Sequence, residues 1–101
     1  MARNPSTNEK GSGFDEDTIE AVWQKGKPEL NLTTYRKDVC NASMQRNKYG
    51  KQEQYGWEID HIKPVSKGGT DNISNLQPLQ WENNRHKGDS DPDKWTCKIT
   101  S

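Results

Sequence analysis

The stretch YGWEIDHIKPVSKGGTDNISNLQPLQWENNRHKGD, residues 55–89, decides how this chain is read. Residues 57–62 (WEIDHI) alternate in polarity well enough for a strand. A turn-rich loop follows, KPVSKGGTDNIS, punctuated by Pro64 and Gly68-Gly69. Leu76 opens a second, very short strand. Pro78 suits the first turn of a helix that runs to about Lys87, with Gly88 just past its end. Strand, long loop, short strand and helix bury little by themselves, so the unit calls for something such as a metal ion to tie it together.

The rest of the chain is just as lean. Of 101 residues, 27% are hydrophobic and 30% charged, and Leu, Ile, Val and Phe together number 13. That is enough for one small domain with a thin core. Disorder throughout does not fit a net charge of zero, four Trp and three Tyr. No apolar run approaches the roughly 18 residues of a membrane span, and the polar first 13 residues are no signal peptide. Two cysteines, Cys40 and Cys97, are too few for a secreted disulfide scaffold. The expectation is a small soluble domain in the cytoplasm, with no membrane partner.

Upstream, residues 1–13 are polar and without periodicity, and read as a disordered arm. Residues 14–101 then form the domain. Asp15 can cap a short helix in FDEDTIEAVWQKGKP, with Phe14 stapled onto Ile19. Ile19, Val22 and Trp23 make one apolar stripe, and Gly26 and Pro28 stop the helix. Residues 29–56 read poorly beyond an extended stretch around Ala42 to Arg46. From Arg36 to Lys51 there are five bases and one acid, with Tyr49 among them and Tyr35 immediately before. Such a stretch suits a phosphate backbone, or is simply a solvated face. The polar tail is expected to be pinned by Trp95 and Ile99. Ile59, Ile62, Val65, Ile73, Leu76 and Leu79 form the expected core.

The chemistry sits at the end of the first strand of the 55–89 stretch, in the chain's only Asp-His pair, Asp60-His61. Asn75 lies 14 residues after His61, and Asn84 nine residues after that. A carboxylate and a side-chain amide oxygen are hard ligands for Mg²⁺ or Mn²⁺. A neutral imidazole beside them can take a proton from water for attack on phosphorus. Plainer readings exist for each: a solvated acid, a strand-end histidine, a turn Asn and a surface Asn. Strict alternation also puts Asp60 and His61 on opposite faces of the strand, so one site can use both only where the strand twists or ends.

In residues 55–89 the Asp-His pair, Pro64, Gly68-Gly69, SNLQPL and the NRxKGD ending follow in order, and the stretch resembles the HNH endonuclease motif. The likeness extends weakly upstream through YRKDVC to small stand-alone HNH proteins. The spacings of 14 and nine resemble those of the HNH domain in CRISPR effector nucleases. The resemblance implies an α+β fold built on a ββα-metal (His-Me finger) motif with an added N-terminal helix. It implies hydrolysis of DNA phosphodiesters, by nicking or double-strand cleavage, and phage or restriction company. Asp60 and Asn84 would be metal ligands, His61 the general base, and Asn75 the residue that braces the loop and orients the base.

One divalent ion is implied, Mg²⁺ or Mn²⁺, with Zn²⁺ or Ni²⁺ as alternatives. The family's final residue is often His, which leaves His86 as an alternative ligand to Asn84. Helical positions two apart point about 200° from each other, so only one of them can face the ion. Many relatives carry paired CxxC motifs; none occurs here, so no structural zinc is expected, nor a Cys40–Cys97 disulfide in a reducing compartment. Lys63, Lys67, Arg85 and Lys87 are candidates for phosphate contact near the site, with Arg36 and Lys37 farther off. The competing reading is a catalytically silent ββα finger that binds nucleic acid; monomer and homodimer are both open.

Overall fold

Asp15 opens the first helix, α1 (Glu16–Trp23), with extended backbone and a carboxylate that accepts from Thr18 N at 2.8 Å. One of the helix's orphan N–H groups is thereby satisfied, and Glu16 and Asp17 sit where the helix dipole favours acids. Ile19, Val22 and Trp23 are its buried face. They join Met44, Trp57, Ile59 and Leu76 in one small core, with Phe14 and Tyr49 packed at its margin. Trp57 is the centre. Its ring lies 5.0 Å from that of Trp23 and 4.8 Å from that of Tyr49, centroid to centroid.

The computed structural model describes residues 4–101, a mixed α+β fold of two helices and two small antiparallel sheets. The first sheet is a meander of β1 (Lys27–Glu29), β2 (Leu32–Lys37) and β3 (Ser43–Gln45). The second pairs β4 (Trp57–His61) with β5 (Leu76–Gln80), in register from Trp57↔Gln80 to His61↔Leu76. Helix α2 (Trp81–Lys87) follows β5 without a linker, its first turn capped by the Gln80 side chain, which accepts from Glu82 N and Asn83 N.

Buried Asp38 joins the two sheets. One oxygen accepts from Cys40 N and Ala42 N, which shapes the turn from β2 to β3. The other accepts from Gln80 N and Asn83 Nδ2 at the start of α2.

Four expectations need correction. Pro78 is not in a helix but in β5, opposite Ile59; a two-stranded sheet has an open edge on which proline's missing N–H is tolerated. Ile62 and Val65 are only half-buried and Ile73 is 42% exposed, because the loop after β4 runs over the surface while Met44 and Trp57 fill the centre.

The arm was expected to be disordered. Its first three residues lie outside the described residues, but residues 4–13 form turns and a bridge between Thr7 and Gly13. Ser6 Oγ pairs with the Tyr49 hydroxyl and accepts from Ile59 N at 2.9 Å. A polar segment is thus fastened by hydrogen bonds rather than by apolar burial.

Finally, Cys40 and Cys97 form a disulfide across 57 residues of sequence, with Cα atoms 5.7 Å apart. The fold itself delivers the tail to Cys40. Fully buried Asn83 accepts from Lys98 N and Ile99 N and donates to the Ile99 carbonyl. Among the described residues no helix is long and apolar enough to cross a membrane.

Candidate active site

All five residues of β4 are buried, the polar ones included. Trp57 and Ile59 belong to the core, while Glu58 and Asp60 are held by side chains of α2. The strand ends at His61, and there the alternation ceases to separate the Asp-His pair. Asp60 and His61 both border one cleft, together with Asn84 and Arg85 of α2, Pro64 and Val65 of the loop, and residues 4–7 of the arm.

Asp60 Oδ1 lies 3.1 Å from the Lys87 ammonium, and Oδ2 accepts from Gln77 Nε2 at 2.9 Å. Burial pushes the Asp60 carboxyl above its ordinary range, although Lys87 and Gln77 pull it back. Lys87 also donates to the His61 carbonyl at 3.0 Å, and its side chain is 0% exposed. The phosphate contact expected of Lys87 is therefore corrected: its amine is spent inside the protein, under the strand end.

His61 is 8% exposed. Its Nε2 lies 2.8 Å from Asp71 Oδ1, and the Phe14 ring packs beside it at 6.0 Å between centroids. Asn84 donates through Nδ2 to Glu58 Oε1 at 2.8 Å, which leaves its Oδ1 carbonyl as the ligand-capable atom. Arg85 binds the same buried Glu58 carboxylate at 3.0 Å. Glu58 thus fixes two consecutive residues of α2 against β4.

Asn75 braces the loop. Its Oδ1 accepts from Lys63 N at 2.8 Å, and its Nδ2 donates to the carbonyls of Lys63 and Thr70. Gly69 is packed so tightly in this loop that an added Cβ would stand 1.7 Å from the Lys63 carbonyl oxygen. The expected hydrogen bond from Asn75 to the base is not made; the ring's carboxylate partner is Asp71. The sequence reading passed over Asp71, as it did Glu58 and Gln77. Its one signal is position, four residues before Asn75 in a loop that must fold back to the strand end.

The remaining candidates divide by location. His86 is exposed and does not line the cleft, whereas Asn84 does. Lys63 is exposed near the cleft, and Lys67 reaches Asp91 at 3.4 Å. Arg36 is engaged with the Gly26 carbonyl and Gln24, and Lys37 lies 3.9 Å from Glu29. Arg46 and Lys48 are likewise paired, with Glu20 and Glu53. Lys37, Arg46 and Lys48 are thus paired with acids, and Arg36 with neutral acceptors.

Among the described residues no group of three or more His, Cys, Asp or Glu is arranged to hold a metal ion. A cation in the cleft would rest on the Asp60 carboxylate and the Asn84 amide oxygen, with water and phosphate oxygens completing its shell. An all-oxygen set of this kind fits a hard divalent ion, which would share the Asp60 carboxylate with Lys87 and Gln77.

No curated protein and no solved structure matches the chain. The family model described as HNH endonuclease matches residues 39–90. That span runs from the turn before β3 through the end of α2, and holds Asp60, His61, Asn75 and Asn84. Because the match covers just over half of the 101 residues, the chain belongs to the HNH endonuclease family.

Proposed function

We propose that the protein is a metal-dependent endonuclease that hydrolyses DNA phosphodiesters, with β4, β5 and α2 as its ββα-metal motif. The observation that carries this reading is the meeting of Asp60, His61 and Asn84 on one cleft. Asp60 and Asn84 hold a divalent ion, Mg²⁺ or Mn²⁺. Once bound, the ion supplies the positive charge that polarises the scissile phosphate and stabilises the departing oxygen. His61 takes a proton from water, whose oxygen bonds to phosphorus as the bond to the leaving oxygen breaks. Exposed Lys63, with Arg85 in the cleft lining and Lys67 farther along the loop, meets backbone phosphates, so affinity is expected to fall steeply with salt. A finger that only bound nucleic acid would need no base in its cleft.

The test is cleavage of supercoiled plasmid with Mg²⁺, Mn²⁺ or chelator. Cleavage that needs the ion is expected, and His61→Ala should lose it by orders of magnitude with DNA binding retained. Undiminished cleavage by His61→Ala, in a preparation free of contaminating nuclease, would remove the mechanism.

A further inference from the structure

We infer that Asp71 is the positioning residue of the base: its carboxylate holds His61 in the Nε2–H tautomer and leaves Nδ1 to take the proton from water. The inference rests on the proposal that His61 is the general base. A carboxylate only accepts hydrogen bonds, and a neutral imidazole carries one N–H. The 2.8 Å contact between His61 Nε2 and Asp71 Oδ1 therefore places that hydrogen on Nε2 and the basic lone pair on Nδ1.

Asn75 is in no position to do the same. Both hydrogens of its amide go to carbonyls of the loop, and its oxygen is bound by Lys63 N. Its work is to fold the loop so that Asp71 arrives at the ring.

Asp71 is itself held from the far end of the chain. Glu9 N donates to both of its carboxylate oxygens, at 3.0 and 3.2 Å, and Asp71 N donates to Glu9 Oε2 at 2.7 Å. This reciprocal pair spans 62 residues of sequence and fixes the carboxylate that fixes the ring. Phe14 on the ring's flank opposes its rotation.

The proton balance is simple. Water gives one proton to Nδ1, the Nε2 hydrogen stays where it is, and the ring becomes imidazolium. Asp71 remains a carboxylate and faces the new positive charge. After hydrolysis the proton on Nδ1 returns to solvent.

Ring ¹⁵N NMR of the metal-free 101-residue chain at mildly alkaline pH distinguishes the two tautomers without any cleavage. The chain has two histidines, so a His86→Gln background leaves His61 alone to be read. The expected result is Nε2–H in the parent and a mixture of tautomers in Asp71→Ala. In steady-state cleavage, Asp71→Ala should lower kcat by about 10²-fold or more with KM for DNA little changed. Asp71→Asn, of the same shape but uncharged, should lower kcat similarly, which covers the case in which the alanine variant folds poorly. Asp71→Glu, which keeps the charged acceptor, should recover part of the loss.

An unchanged tautomer, with kcat within about twofold of the parent, overturns the role of Asp71 while inactive His61→Ala leaves the base in place. Full cleavage by His61→Ala overturns the base and Asp71's role with it.

Discussion

Replacing Lys87 with methionine keeps a long buried stem and removes only the charged end. In the structure that end is fully buried, with Asp60 at 3.1 Å and the His61 carbonyl at 3.0 Å. Its loss leaves Asp60 as a buried carboxylate with only Gln77 for a partner. Breaking a buried ion pair in this way typically costs about 3–5 kcal/mol. A second route gives a ceiling. Asp60 can escape by taking a proton, and from its ordinary value of 3.8 this costs about 4 kcal/mol at pH 7. Burial has already raised the carboxyl, so the true charge penalty lies below that ceiling.

The stranded His61 carbonyl adds about 1 kcal/mol or more. The expected loss is therefore about 4–5 kcal/mol, out of the roughly 5–15 kcal/mol available to a domain of this size. Urea unfolding followed by tryptophan fluorescence, in chelator, measures it. The double variant Lys87→Met/Asp60→Asn should recover part of the loss, because the unpaired charge is gone. A Lys87→Met variant within about 1 kcal/mol of wild type but weakened in DNA binding would refute the reasoning and restore the phosphate contact.

Three other outcomes are expected. Asn84→Ala should weaken Mn²⁺ binding in calorimetry while His86→Ala leaves it unchanged; the reverse pattern would mean that the other face of α2 meets the ion. Reducing the Cys40–Cys97 bond reopens a 57-residue loop and should destabilise the chain by up to about 4 kcal/mol, seen as a lower urea midpoint in dithiothreitol. Asp15→Ala should lower Tm near neutral pH. Hydrogen bonds from Thr18, its side chain first and then its N–H, hold the Asp15 carboxyl below its ordinary value, so the cap stabilises above that value and is lost as pH falls through the depressed one. The deficit of the variant should accordingly close in acid, and a Tm difference independent of pH would count against the ionised cap.

What was legible in the sequence is what local rules govern. Asp15 before an acidic turn, and Ile19, Val22 and Trp23 on one stripe, mark a helix that needs no tertiary information. Residues 57–62 alternate, and the strand they announce ends at His61 as its Asp-His pair requires. The first sheet was hidden because Lys27–Glu29 and Leu32–Lys37 face solvent along most of their length and show no apolar alternation. Pro78 misled because its preference for a first helical turn competes with its tolerance at a sheet edge.

Asp60, His61 and Asn84 were readable as candidates from residue type and spacing. The partners of these residues were not. Asp71 reaches His61 only through the fold of the 14-residue loop between β4 and β5, and Lys87 has the same charge whether its helix position faces solvent or Asp60. The disulfide was discounted on compartment, a property that says nothing about where the fold brings two chain segments.

The fastening of the arm bears on the order of folding. Ser6 meets Ile59 across 53 residues, and Glu9 meets Asp71 across 62. These are closures of high contact order, made by a segment with little apolar surface of its own, and they have no docking surface until β4 and the loop after it are in place. The arm is therefore the first part synthesised among the described residues and one of the last to settle. Refolding should show burial of Trp57 ahead of protection of the Ile59 and Asp71 amides. During that interval the core exists while one wall of the cleft does not.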